Sequence, residues 1–441
     1  MVLVCLFLMT LPLADERLLA FSLGGLTIEK WLGLLCFAYA LGYAARRRPV
    51  ATWSAPLLAF GGLYIVALVS WLAWGSSAPD SLFWSFGSEA LLLLTMLWLV
   101  DNREKLRWAL LASFASVALI SAYTIREWLA GAATAGAGFR PGAMAGDANY
   151  FAADVVIALP LLFGFLEHGA RWERWFCWGT MLMAVFASTL AASRGGSLGL
   201  TAAVLAYVLA SRAPRSGKAL LVAVILLVSL LAPGRLLTRW LRPTAGDTAS
   251  ALDRTELWTA AWAMLEAHPW RGIGIGQFKS QLPNYTPPGS DLDFIAHNTY
   301  LEIAAEMGLP GLGAFLALIG GALLSLGEVR RAAREHGDWL LDSTATGLSA
   351  GWLGFMVAGF FISAAFLRLF WLAVSLAAVL PGLAQHTRQT AGPGTQQASA
   401  RRWPTADSAR VSAYSGRDLG PPRSILPQRP RIGRWGALAK P

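Results

Sequence analysis

Twelve apolar stretches run through this chain and leave it little choice but a bundle of membrane helices. They lie near residues 1–13, 31–45, 55–75, 81–100, 106–126, 148–166, 175–192, 196–211, 218–233, 308–327, 345–363 and 367–384. A helix needs roughly 20 apolar residues, within a range of about 17–25, to cross a bilayer. A content of 56% hydrophobic and 14% charged residues, with a mean hydropathy of +0.50, excludes an ordinary soluble enzyme. The expectation is an all-α membrane protein of about twelve transmembrane helices. Residues 1–13 are short for a span: either the start is misassigned or residues 1–30 form one broken helix. This segment lacks the basic flank of a secretory signal.

Short-loop cations set the orientation. Arg46, Arg47, Arg48, Arg103, Lys105, Arg107, Arg171, Arg174, Arg212, Arg215, Lys218, Arg330, Arg331 and Arg334 occupy one set of loops. The alternate set holds Arg17, Lys30, Arg140, Arg194 and Arg368. Fourteen cations against five place both termini in the cytoplasm. The long loop between the ninth and tenth spans, about 234–300, then lies outside, in a periplasm or its equivalent. The expected organisation is helices 1–9 over 1–233, the loop with helical segments over 234–300, helices 10–12 over 301–386, and a tail over 387–441. The tail has ten Lys and Arg against Asp407 and Asp418, so it supplies +8 of the formal +10. Its seven prolines and scarce apolar residues predict a disordered, solvated segment that brushes anionic headgroups at most. No aromatic-basic pattern points to nucleic acid.

Cys5, Cys36 and Cys177 are scattered through or beside apolar spans, so they build neither a disulfide framework nor a zinc site. No HExxH, DxD or Walker pattern occurs, and no metal or cofactor is expected. Gly272-Ile273-Gly274-Ile275-Gly276 lacks a βαβ context and reads as a tight backbone turn. The 20 tryptophans read mainly as interfacial anchors.

Polar chemistry concentrates on the outer face. His168, His336 and His386 fall on the other side, which leaves His268 and His297. His268 precedes Pro269 at the end of an amphipathic stretch and reads as a local cap. His297 differs by its company: Asn298, Thr299 and Tyr300, then Glu302 and Glu306 on one face of the following helix. A histidine titrates near neutrality and can take a proton from a sugar hydroxyl. Arg194 sits at a junction of two spans with almost no loop, where an arginine is costly unless it snorkels, pairs or meets substrate. Arg254 has Asp253 and Glu256 as alternative partners. Two arginines suit a diphosphate, whose oxygens each guanidinium grips as a fork. Arg140, Arg271 and Arg368 are further candidates for substrate contact, as are Asn149, Asn298, Tyr300 and Glu306. Asp147 is the expected N-cap of the helix that Asn149 enters.

Four motifs in order resemble the O-antigen ligase and polymerase superfamily of bacterial membrane glycosyltransferases. Gly146-Asp147-Ala148-Asn149-Tyr150-Phe151-Ala152 resembles its (D/N)PNxxA turn, with Ala148 in place of proline. Ser193-Arg194-Gly195-Gly196 resembles its SRG junction. Arg254 to Ala261 followed by His268 to Gly274 resembles RxxxWxxA…HPxxGxG. His297-Asn298-Thr299-Tyr300-Leu301 with Glu306, Gly308 and Gly311 resembles HNxxLxxxxExGxxG. The resemblance covers about residues 20–385. It implies glycan transfer from undecaprenyl diphosphate outside the bacterial inner membrane, with His297 as base and Arg194 and Arg254 as phosphate clamps. The acceptor would be lipid A-core in a ligase or a growing glycan in a polymerase. The compact outer loop, without an extra periplasmic domain, favours ligase over protein-modifying relatives. A transporter of lipid-linked sugar is the alternative from a different class, although the repeated halves common in such proteins are not evident.

Overall fold

A computed structural model describes residues 1–11, 27–46, 53–74, 81–134, 141, 147–231, 245–287 and 295–390. Among them the chain is helical and contains no strand. The helices are α1 (Val2–Thr10), α2 (Ile28–Arg46), α3 (Ala55–Trp74), α4 (Ser81–Leu99), α5 (Arg103–Thr134), α6 (Ala148–His168), α7 (Arg171–Ala191), α8 (Arg194–Ala210) and α9 (Arg215–Leu231). After them come α10 (Ala245–Ala267), the short α11 (Phe278–Gln281), α12 (Thr299–Glu335), α13 (Trp339–Ala358) and α14 (Arg368–Thr390). Each of the twelve apolar stretches falls on a helix. Among the described residues five helices are long and apolar enough to cross a membrane: α3, α5, α6, α12 and α14. Leu209, Leu230 and Leu324 point outward at 76%, 72% and 74% exposure, as side chains facing lipid do.

Polar side chains set the starts of these helices, because the first backbone N–H groups of a helix have no partner within it. Asp147 caps α6 by accepting the Asn149 N–H at 2.7 Å. Ser193 caps α8 through the Gly196 N–H at 3.1 Å. Asn298 caps α12 by accepting the N–H groups of Tyr300 and Leu301 at 3.0 and 3.1 Å. Ala192, at φ 50°, turns α7 directly into α8.

The centre of the bundle is close-packed through glycine. Helix α13 lies between α6 and α8. A Cβ on Gly351 would sit 2.7 Å from the Ile157 carbonyl oxygen, and one on Gly354 would sit 2.6 Å from that of Gly199. Lipid tails are as apolar as leucine, so close backbone approach rather than the hydrophobic effect holds such helices together. An aromatic cluster of Phe60, Phe86, Phe315, Trp352, Phe370 and Trp371 fills the space between α3, α4, α12, α13 and α14.

Helix ends depart from the hydropathy limits. Helix α5 runs past Arg126 and Glu127 to Thr134, and α14 runs to Thr390. Helix α12 starts at Thr299 and is broken at Gly308, where φ is 69°. Hydropathy marks the stretch suited to the bilayer core, whereas backbone hydrogen bonding carries a helix on through polar turns. Residues 391–441, Arg140 and the loop segments 12–26 and 232–244 lie outside the described residues.

Candidate functional site

Residues 254–287 and 295–305 pack around a small core of their own. Leu257, Ala260, Ala261 and Met264 form the apolar stripe of α10 and pack on Ile273, Phe278, Leu282, Ala296 and Ala305. The glycine-rich segment is a tight turn, as expected: Gly272, Gly274 and Gly276 all have positive φ. A Cβ at Gly272 would lie 2.2 Å from the Glu306 backbone, so only glycine fits. The turn is sewn to α12 by Ile273 N–H to Ala305 O at 2.9 Å and Gly274 N–H to Glu306 O at 3.0 Å. Helix α3 adds Trp74, whose indole donates to Gly272 O at 2.9 Å, and Ser70, whose hydroxyl donates to Glu306 O at 2.9 Å.

This scaffold fixes His297. The Trp258 indole donates to Ala296 O at 3.0 Å immediately before it, and the Asn298 cap follows immediately after. Between the two, His297 takes φ 49°, a conformation uncommon outside glycine. Two residues on, Thr299 donates its N–H to Gly359 O at 2.8 Å and its hydroxyl to Ile362 O at 2.6 Å. The Tyr300 hydroxyl donates to Met356 O at 2.8 Å. The histidine turn is thereby locked to the segment joining α13 and α14.

Charges on two other segments act on the imidazole. Burial lowers the His297 pKa, and the nearby Arg254 guanidinium lowers it further, while Asp147 opposes both. The ring is therefore neutral, and able to accept a proton, at pH values where an ordinary histidine would begin to charge. Asp147 acts through its charge from the start of α6, where its side chain caps the helix. The same helix start is tied to α8, because the Ser193 hydroxyl donates to Asn149 Oδ1 at 2.7 Å. Arg194 is the first residue of α8, and the Cβ-less Gly195 and Gly196 after it pack against Phe361 and Ala152.

An apolar groove of about 440 Å³ begins at Ser193 and Gly196 and follows α8 past Leu200 and Val204 to Val208, with α7 and α9 as walls. At 1.5 Å per residue it extends roughly 20 Å along the bundle.

The remaining sequence candidates divide by position. Asn149, Asn298 and Tyr300 lie at the His297 turn or its support, each in a structural hydrogen bond. Glu306 is 2% exposed and turned inward, accepting the Phe278 N–H at 3.2 Å, so it holds the glycine turn. Glu302 is likewise buried and accepts from Ser363. Arg271 is exposed and lies over the Trp74 ring at 5.3 Å. Arg368 pairs with the buried Glu29 at the start of α2. His268 packs edge-on against Trp74 at 5.1 Å. Asp147 as a charge acting on His297, and Trp258 as its anchor, were not expected. The only signal for either was its place in a motif.

The fold is that of a multi-pass helical membrane protein, and it brings the Arg254 charge to bear on the His297 imidazole. Residues 179–316, just under a third of the chain, match the family described as O-antigen ligase. This match supports placing the chain in the O-antigen ligase superfamily. The family is associated with glycosyltransferase-like ligase activity on lipid-linked glycans and lipid A-core in general. The matched segment holds Arg194, Arg254 and His297, while Asp147 and Asn149 lie before it. No curated protein matches the chain.

Proposed function

We propose that this protein is an O-antigen ligase, which transfers a glycan from undecaprenyl diphosphate to a hydroxyl of lipid A-core on the periplasmic face of the bacterial inner membrane. The observation that carries this reading is the grouping of a neutral-biased His297 with Arg254, next to the Arg194 junction. In the proposed reaction His297 takes the proton of the acceptor hydroxyl. The oxygen attacks the anomeric carbon, and the bond from that carbon to the diphosphate oxygen breaks. Undecaprenyl diphosphate leaves with the electron pair. Arg194 and Arg254 stabilise the charge that develops on it. A single displacement of this kind inverts the anomeric centre. The apolar groove beside Arg194 supports the reading, because a lipid-linked donor needs a path for its hydrocarbon chain next to the groups that hold its diphosphate.

The test is transfer by purified protein in detergent, with undecaprenyl-diphosphate glycan as donor, no ATP, and EDTA present. Lipid A-core and a second donor molecule are compared as acceptors. Product on lipid A-core supports the ligase. A lengthened lipid-linked glycan instead would make the protein a polymerase, and no product from folded protein would shift the reading to another acceptor or to transport.

A further inference from the structure

The end of the bundle opposite His297 carries a charged pocket. The last turns of α12 and Arg212, two residues past the end of α8, enclose about 480 Å³ lined by Arg212, Gly327, Arg330, Arg331, Arg334 and Glu335. Four guanidiniums thus face one carboxylate. Two of the four also serve the fold. Arg334 pairs with Asp342 at 2.9 Å and donates to Ala210 O at 3.2 Å, and Arg330 donates to the same carbonyl at 3.1 Å. They cap the C-terminus of α8, where cations offset the helix dipole. Capping leaves charge over. The Arg330 Nε is buried and meets no acceptor among the described residues. Neither Arg212 nor Arg331 forms an ion pair among the described residues, whereas Arg103, Lys105 and Arg107 at this end all do. The positive-inside preference accounts for arginines in these loops. It does not account for four of them around one pocket.

The surroundings indicate what fills it. Gly327 forms part of the lining, and a Cβ there would meet nothing within 4 Å, so the space above it is open. One turn back on the same face of α12 is Leu324, 74% exposed, and beside Ala210 on α8 is Leu209, 76% exposed. Cationic walls therefore continue directly into lipid-facing apolar surface. An inorganic anion would use only the arginines, whereas an anionic lipid would use both parts.

We propose that this pocket binds the phosphodiester headgroup of an anionic membrane lipid, with Arg212 and Arg331 gripping its oxygens and the acyl chains lying along Leu324 and Leu209. Arginine suits the task because its planar fork matches phosphate oxygens. The proposal is independent of the transferase reading, since no residue of the His297 group takes part.

The test uses the full-length protein in neutral detergent, titrated with phosphatidylglycerol, phosphatidylcholine or inorganic phosphate and followed by native mass spectrometry and thermal unfolding. Phosphatidylglycerol is expected to bind in preference to phosphatidylcholine and to raise the unfolding temperature. The double variant Arg212→Gln/Arg331→Gln is expected to lose about tenfold or more of that affinity. Gly327→Leu keeps every charge and fills the open space, and is expected to lose the same preference. Arg330 and Arg334 are left in place because they cap α8. Equal binding of the two lipids, or undiminished preference in either variant, would overturn the proposal. Equal stabilisation by inorganic phosphate would also overturn it, by assigning the pocket to a free anion.

Discussion

Ser193 offers a quantitative test of how the site is assembled. Its hydroxyl caps α8 at Gly196 and donates to Asn149 across the α6–α8 interface. Losing the cap costs about 1 kcal/mol, and losing the link costs about 1 kcal/mol. Ser193→Ala is therefore expected to destabilise the protein by about 2 kcal/mol. Asn149→Ala removes the link alone and should cost about 1 kcal/mol. The double variant loses that link only once, so it should also cost about 2 kcal/mol, which leaves a coupling energy of about 1 kcal/mol. The unfolding free energies of the four proteins, measured in mixed micelles, close the cycle. Because the link positions Arg194, glycan transfer should follow the same pattern, with a loss on the order of tenfold in either single variant and little more in the double. Ser197→Ala is the control, because that hydroxyl bonds only within α8, to the Arg194 carbonyl. Additive costs, or a silent Asn149→Ala, would refute the reasoning.

Other expectations follow from the same geometry. A base must be neutral to act, and the His297 pKa is lowered, so the acid limb of the pH–rate profile should fall below the usual histidine value of about 6.5. Arg254→Gln should move that limb to higher pH and slow the reaction. Asp147→Asn, which keeps the cap, should move the limb to lower pH, and shifts in the opposite directions would contradict the account. Trp258→Phe removes the bond to Ala296 O at the cost of about 1 kcal/mol, and should lower the transfer rate while leaving α10 folded, as circular dichroism and turnover would report. Gly351→Val should overpack the α6–α13 contact, costing about 1–3 kcal/mol or preventing assembly, whereas Gly313→Ala, which meets open space, should be tolerated; detergent-extracted yield and thermal unfolding separate the two.

Much of this architecture is legible in the sequence because bilayer physics leaves few choices. Apolar stretches had to become helices, and Asp147 before Ala148 was readable as a cap. The glycine turn was readable because alternating glycines with no strand before them suit positive φ better than a nucleotide. Other features depend on distances that one sequence does not carry. Ser193 and Asn149 are 44 positions apart and meet only because α6 and α8 pack side by side. The influence of Asp147 on His297 likewise arises from folding. Glu306 shared its motif with His297 and was expected at the substrate, but its carboxylate faces the loop backbone, because a buried N–H at Phe278 requires an acceptor. Motif membership identified residues that belong together without separating those that react from those that hold the loop.

The most direct test of the central claim is single-turnover transfer to lipid A-core, comparing wild type with His297→Ala, both verified as folded in detergent. The account predicts product from wild type with the anomeric configuration inverted, and loss of transfer in the variant with donor binding retained. Undiminished transfer by His297→Ala, or retained configuration in the wild-type product, would contradict it.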